Sequence, residues 1–146
     1  MAALTTTYEN FEKPGLVVSY KASNVKIYKG AACGINATGY LVPMAHGTAS
    51  LKFAGIANDS VNNSAGAAGD KSVNVTKSGS FVFKAASGYT PAQADVGAEV
   101  YANSDWEVQV STTGLTNPYK LGRITGLENT STGATGVRVR VDGYTL

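Results

Sequence analysis

The chain has little of the material from which catalytic and metal sites are usually built. It contains one cysteine, Cys33, and one histidine, His46. A single cysteine excludes an intrachain disulfide and fits a reducing compartment. A zinc site needs several Cys, His or carboxylate ligands close together, and neither residue has such neighbours in the sequence. We therefore predict that the chain has no metal site, that Cys33 is a small buried residue and that His46 lies in a turn.

Charge is also scarce. Lys, Arg, Asp and Glu make up 15% of the chain, and the formal net charge is +2. The densest basic cluster is Arg138 and Arg140 beside Asp142, which is typical of a solvated or salt-bridging strand face. A nucleic-acid site needs more positive charge and exposed aromatic side chains, so we expect no nucleic-acid partner. A surface with few charges is a weak barrier to association, and this favours oligomers and protein partners.

Several recognisable motifs are absent. No run of 18 apolar residues is present, so we expect no membrane span, and the first ten residues lack the pattern of a signal peptide. The segment 66–72 only superficially matches a phosphate loop, because two residues rather than four separate its glycines and Asp70 interrupts it. No nucleophile elbow or calcium loop is found. We assign no catalytic, cofactor-binding or metal residue, and we expect the protein not to be an enzyme.

Alternating strands and glycine dominate what is present. Residues 72–76, 106–110 and 136–142 alternate apolar and polar side chains with period two, as half-buried strands do. Seventeen glycines divide the rest of the chain into short pieces. The pattern predicts an all-β fold, a single small barrel or sandwich-like domain of about ten short strands. One short helix is predicted near residues 91–95, where Pro91 follows a possible capping residue.

Local signals give further predictions. Residues 77–79 and 103–105 are expected to turn two hairpins. Gly55, inside the strand pattern of 51–57, predicts a bulge or a close backbone approach. Residues 58–70 are expected to form a mobile loop or one that is ordered only at an interface. Trp106 is in phase with Val108, which predicts that its indole packs in the core.

The N-terminal segment differs from the rest. Residues 1–15 are polar and aperiodic, and we interpret them as an extended arm preceding a β-rich domain at 16–146. Tyr8 and Phe11 in this arm, with Tyr20 just after it, are candidate partner-binding residues. Aromatic anchors in a polar arm often dock on a neighbouring molecule.

An ordered series of glycine-punctuated strands, spanning most of residues 25–142, resembles the capsid cement (head decoration) proteins of tailed bacteriophages. The resemblance implies a β-rich, non-enzymatic protein on the capsid exterior of the virion, made in the host cytoplasm. Its partners would be the major capsid protein and further copies of itself, often as homotrimers at threefold or quasi-threefold positions of an expanded head. The matching pieces are Lys29-Gly30, Gly39-Tyr-Leu-Val-Pro43, Phe53-Ala-Gly-Ile-Ala57, Val73-Asn-Val-Thr-Lys-Ser-Gly-Ser-Phe-Val-Phe83, Val96-Gly-Ala-Glu-Val-Tyr101 and Leu121-Gly-Arg-Ile124.

Three alternatives stay open from the residues. The first is another virion component, such as a tail or fibre module, which location on the particle distinguishes. The second is a carbohydrate-binding adhesion domain with Trp106 and nearby tyrosines as a platform, for which Trp106→Ala would abolish glycan binding but leave the fold intact. The third, ranked last, is a small hydrolase that uses His46.

Overall fold

Over the residues that the computed structural model describes, which are 5–6, 13 and 15–146, the regular secondary structure is almost entirely β-strand. This confirms the all-β prediction, and a 3₁₀ turn at Gln93–Asp95 stands where the short helix was expected. No helix in this part of the chain has the length and apolar character needed to cross a bilayer. The strands are β1 (Val17–Lys21), β2 (Lys26–Ile27), β3 (Ala32–Ile35), β4 (Leu41–Pro43), β5 (Lys52–Ala57), β6 (Val61–Asn62), β7 (Ser72–Thr76), β8 (Ser80–Ala85), β9 (Glu99–Ala102), β10 (Glu107–Gln109), β11 (Lys120–Leu127) and β12 (Gly136–Arg140).

The second half of the chain forms a small closed barrel. Its strands follow one another around the barrel in the order β10, β8, β12, β11 and β9. All neighbours are antiparallel except β8 and β10, which run parallel and pair over only two residues each. Val108, Val137 and Val139 are fully buried, as the period-two pattern of their strands requires.

The first half forms an antiparallel sheet with the strand order β1, β7, β5, β3 and β4. A bridge between Ala22 and Leu41 brings the two ends of this order together, so the sheet curls on itself. Its concave side holds a second core that includes Cys33, Val73 and Val75, and the small β2–β6 sheet packs on this core through Ile27. One face of the sheet therefore has its own core, and the other faces the barrel.

Gly55 allows β5 to contribute side chains to both cores. The pairing of β3 with β5 shifts register here, since Cys33 lies opposite Gly55 but Gly34 lies opposite Phe53. As a result Phe53 and Ile56 both join the core shared with the barrel. Gly55 has a φ of 141°, and a Cβ at this position would lie 2.2 Å from the Thr76 carbonyl oxygen. The predicted bulge or close approach is thus confirmed, and both occur.

One of the two predicted hairpins is wrong. β9 and β10 do pair as antiparallel neighbours around residues 103–105. β7 and β8 do not pair, because β1 and β5 occupy both edges of β7 while β10 and β12 occupy both edges of β8. Residues 77–79 instead carry the chain from the sheet to the barrel, and the Gly79 amide donates to Asp142 Oδ1 over 2.9 Å. A local turn signal does not distinguish a hairpin from such a crossing.

Residues 58–70 also differ from the expectation of a loop that is ordered only at an interface. They contain β6, which pairs with β2, and the buried side chain of Asn63. The Asn63 amide nitrogen donates to the carbonyl oxygens of Ser23 and Ala67, each over 2.9 Å. A buried polar side chain thus holds this segment against the rest of its own domain. The prediction had looked only for apolar side chains that could do so.

Candidate binding groove

A surface groove of about 830 Å³ lies where the sheet meets the barrel. We call it the junction groove. It is lined by residues 28–31, 82–84, 105–106 and 128–132, so both halves of the fold contribute. The Ala32 amide donates to the Asp105 carbonyl oxygen over 2.7 Å and ties the two halves together at this point.

Trp106 lies in the junction groove and is 49% exposed, so the prediction that it packs in the core is wrong. It falls just before β10, in the turn that joins β9 to β10, where the alternation of the strand has not yet begun. The Lys84 amide donates to the Trp106 carbonyl oxygen over 3.0 Å, and the Lys84 ammonium lies 4.6 Å from the centroid of the indole ring. These contacts hold the exposed ring against the barrel wall, and the cation–π contact itself contributes about 0.5–1 kcal/mol.

Tyr28 is the second aromatic residue of the groove and is 57% exposed. It follows Ile27, which is fully buried, and consecutive residues of an extended segment point to opposite sides. Tyr28 was not singled out from the sequence. The one sequence signal for Tyr28 was its position directly after the apolar–polar alternation of residues 25–27. An aromatic residue at such a position can equally lie in the core, so the signal does not predict exposure.

The charged side chains around the groove largely compensate one another. The Lys84 ammonium lies 2.6 Å from Glu107 Oε1. Glu128 lies 3.3 Å from the Arg138 guanidinium. Lys29 adds one positive charge to the lining. With Asp105 included, the lining and its ion-pair partners carry three positive and three negative charges. The Lys26 ammonium, 4.7 Å from the centroid of the Tyr28 ring, adds one more positive charge at this site.

Asp105 is the carboxylate of the groove that lacks a cationic partner. Within residues 15–146, none of the ion pairs involves it. Burial, and then the negative charge of Glu107, raise the pKa of the Asp105 carboxyl above its usual value. The ionised carboxylate is therefore less stable in the folded protein than in water. Its free lone pairs can accept hydrogen bonds from a bound ligand.

The loop between β11 and β12 forms a polar wall of the groove. The Thr130 amide donates to the Ala134 carbonyl oxygen over 2.8 Å, and the Gly133 amide donates back to Thr130 over 2.9 Å. The hydroxyl groups of Thr130 and Thr132 lie 3.0 Å apart. These internal bonds shape the loop, which presents amide and hydroxyl groups from Asn129 through Thr132 to the groove.

The predicted partner-binding residues are not brought to this groove. Tyr8 and Phe11 lie outside the described residues. Tyr20 lies on β1, is half-buried against the core of the sheet, and accepts a hydrogen bond from the Lys77 ammonium over 2.9 Å. Its role in partner contact, like that of the arm as a whole, stays a prediction.

His46 and Cys33 have the local positions expected from the sequence. His46 lies in a turn, where its Nδ1 accepts a hydrogen bond from the Thr116 amide over 3.2 Å and its carbonyl oxygen accepts one from the Asn117 side chain over 2.8 Å. Cys33 is fully buried. Burial, with a smaller effect of Asp105, raises the pKa of its thiol to about 12, and this keeps the thiol protonated at neutral pH.

Comparison with known proteins gives no relative for this chain: no protein-family model, no curated protein and no solved structure matches it.

Proposed function

We propose that the chain is a structural capsid decoration (cement) protein, which binds the outside of an expanded phage head and stabilises it. The observation that carries the proposal is the position of β1. This strand lies at the edge of the curled sheet, directly after the N-terminal segment, and it begins beside two exposed apolar side chains, Leu16 and Val17.

An edge strand of this kind is suited to binding a neighbouring protein. Over Val17–Lys21, before the bridge between Ala22 and Leu41 closes the sheet, its outer backbone groups can pair with a strand of another molecule. Proteins that do not use such an edge usually shield it. Along β1 the side chains alternate between exposed and half-buried, so an added strand would meet Val17 and its exposed neighbours. The low charge of the chain imposes little electrostatic penalty on such contact.

Symmetric assembly would strengthen a contact that is weak in a single copy. The resemblance of residues 25–142 to cement proteins implies a homotrimer whose copies each contact the major capsid protein. Once one copy is bound, the others bind at a high effective concentration, so three modest contacts give a much tighter complex than one.

The proposal is tested by co-sedimentation of the purified protein with undecorated expanded heads and with unexpanded proheads of the cognate phage. We expect saturable binding to expanded heads. Failure of the folded protein to bind either particle would contradict the proposal. Immunogold labelling of tails rather than heads would instead favour a tail or fibre module.

Two matched variants test the surface. Val17 and Val96 are similarly exposed, at 43% and 41%, but Val17 lies on β1 and Val96 precedes β9 of the barrel. We expect Val17→Asp and deletion of residues 1–15 to weaken head binding without unfolding the domain, and Val96→Asp to bind normally. Full decoration by the truncated protein would contradict the assignment of the arm.

A further inference from the structure

The junction groove exposes two large aromatic side chains in one concave site. Tyr28 and Trp106 are each about half exposed, and Val82, which is also exposed, belongs to the same lining. Exposed aromatic residues that converge in a groove indicate binding, because apolar bodies with polar tips suit ligands with both kinds of surface. The volume of about 830 Å³ is within the range of ligand sites.

The walls of the groove argue against an extended peptide that adds a strand. β8 lines the groove at residues 82–84. β12 pairs along one edge of this segment, and β10 pairs with the other edge at Lys84 and Ala85. The unpaired edge within the groove is therefore limited to residues 82–83, which is too short a backbone ladder for an added strand. Recognition must therefore use side chains, which are aromatic on one side and rich in hydroxyl and amide groups on the other.

The electrostatics argue against an anionic ligand. Lys84 is already bonded to Glu107, and the Lys26 ammonium lies against the Tyr28 ring. Of the cations at the groove this leaves Lys29, and Asp105 would repel a phosphate or sulfate group. The Asp105 carboxylate, to which its own backbone amide donates, has further lone pairs for hydrogen-bond donors. Asp105 directly precedes Trp106 in the chain. A ligand with neutral hydroxyl donors and an apolar C–H face satisfies both residues at once.

From these observations we propose that the junction groove binds a neutral glycan. The aromatic rings of Tyr28 and Trp106 contact the C–H faces of the sugar rings, the Asp105 carboxylate accepts hydrogen bonds from sugar hydroxyls, and residues 129–132 supply further polar contacts. The lining of the site contains no residue of β1, so the proposal does not depend on the capsid-binding role of that strand.

The single tryptophan of the chain makes a direct assay possible. Trp106 is the only tryptophan in the sequence, so fluorescence excited at wavelengths that tyrosine does not absorb reports on the groove. We would titrate the full chain with neutral oligosaccharides of glucose, N-acetylglucosamine, mannose and galactose, and in parallel with a sulfated oligosaccharide. We expect a saturable change in emission with at least one neutral oligosaccharide and none with the sulfated one.

Variants connect the signal to the groove. We expect Tyr28→Ala and Asp105→Asn each to weaken binding about tenfold, since they remove a stacking surface and a charged acceptor. Val96→Ala, outside the groove, should bind as the wild type does. Trp106→Phe, assayed on immobilised glycans, should retain more binding than Trp106→Ala. Equal thermal unfolding midpoints would show that the variants are folded.

Three results would overturn the proposal. They are the absence of a saturable response to every neutral oligosaccharide at millimolar concentration, binding of the sulfated oligosaccharide alone, and a response that Tyr28→Ala and Asp105→Asn leave unchanged. None of these results bears on head binding, so the two proposals can fail independently.

Discussion

The negative charge of Asp105 destabilises the folded state. Its carboxyl has a raised pKa because of burial and the nearby Glu107. The native state therefore holds this proton more tightly than the unfolded chain does, so the stabilising contribution of Asp105 is complete only below the usual aspartate pKa. It is lost as the pH rises through the raised value. At neutral pH the ionised carboxylate lowers the free energy of unfolding.

We predict that Asp105→Asn raises the free energy of unfolding at neutral pH and has little effect on it at pH values below the usual aspartate pKa. The measurement is urea unfolding of both proteins across this range, compared as a difference because Glu99 and Asp142 have lowered pKa values and act in the opposite direction. An equal difference at every pH would show that the variant acts through packing. A gain in stability together with weaker glycan binding is the pattern expected of a functional residue.

At the residue scale, the sequence predicted the structural positions of His46 and Cys33, but it did not predict which aromatic side chains are exposed. His46 and Cys33 could be placed because a lone histidine in a turn and an isolated cysteine have few alternatives. Trp106 was misplaced because the period-two pattern continues formally through the turn before β10, although the strand does not. Asp105 directly precedes Trp106 in the sequence, but Tyr28 joins them only through the contact of the sheet with the barrel. No single segment of sequence contains that information.

At the scale of elements, the bulge of β5 depends on Gly55. The residue has a left-handed φ of 141°, and an added Cβ would lie 2.2 Å from the Thr76 carbonyl oxygen of β7. We predict that Gly55→Ala lowers the free energy of unfolding by at least about 2 kcal/mol, because backbone strain and overpacking act together. Chemical denaturation measures this effect.

Gly143→Ala is the matched control for this variant. Gly143 does not have a left-handed φ, and a Cβ there would meet nothing within 4 Å. We expect it to leave stability unchanged or raise it by up to about 1 kcal/mol, through reduced freedom of the unfolded chain. Similar losses in both variants would show that the close approach at β5 is not the cause.

The strands themselves were largely predictable, but their partners were less so. Alternation identified β7, β10 and β12, and the turn at 103–105 gave the pairing of β9 with β10. The partners of β7 and β8 are distant in sequence, so the local signal at 77–79 favoured a pairing that the two halves of the fold exclude. The polar anchor of Asn63 was likewise missed, because its carbonyl partner at Ser23 lies far away along the chain.

At the scale of the whole molecule, the sheet and the barrel share one core. Met44, Leu51 and Phe53 from the sheet side pack in the same cluster as Val137 and Val139 of the barrel. The Leu146 amide also donates to the Phe53 carbonyl oxygen over 2.8 Å, which fixes the end of the chain to β5. The two halves should therefore unfold together, although each has a closed or nearly closed arrangement of strands.

We predict that Phe53→Ala lowers the free energy of unfolding by about 3–5 kcal/mol, and that native-state hydrogen exchange shows equal losses of protection in β7 and β12. Equal losses follow if opening of either strand requires opening of the shared core.

Two further variants serve as controls. Phe53→Leu gives a milder loss to measure if the alanine variant does not fold. Leu127→Ala, at an exposed barrel position, should change the protection of neither strand. Lost protection in β7 with normal protection in β12 would instead show two independently stable units. The junction groove would then lie between moving parts, and glycan affinity would fall as the contact between Ala32 and Asp105 opened.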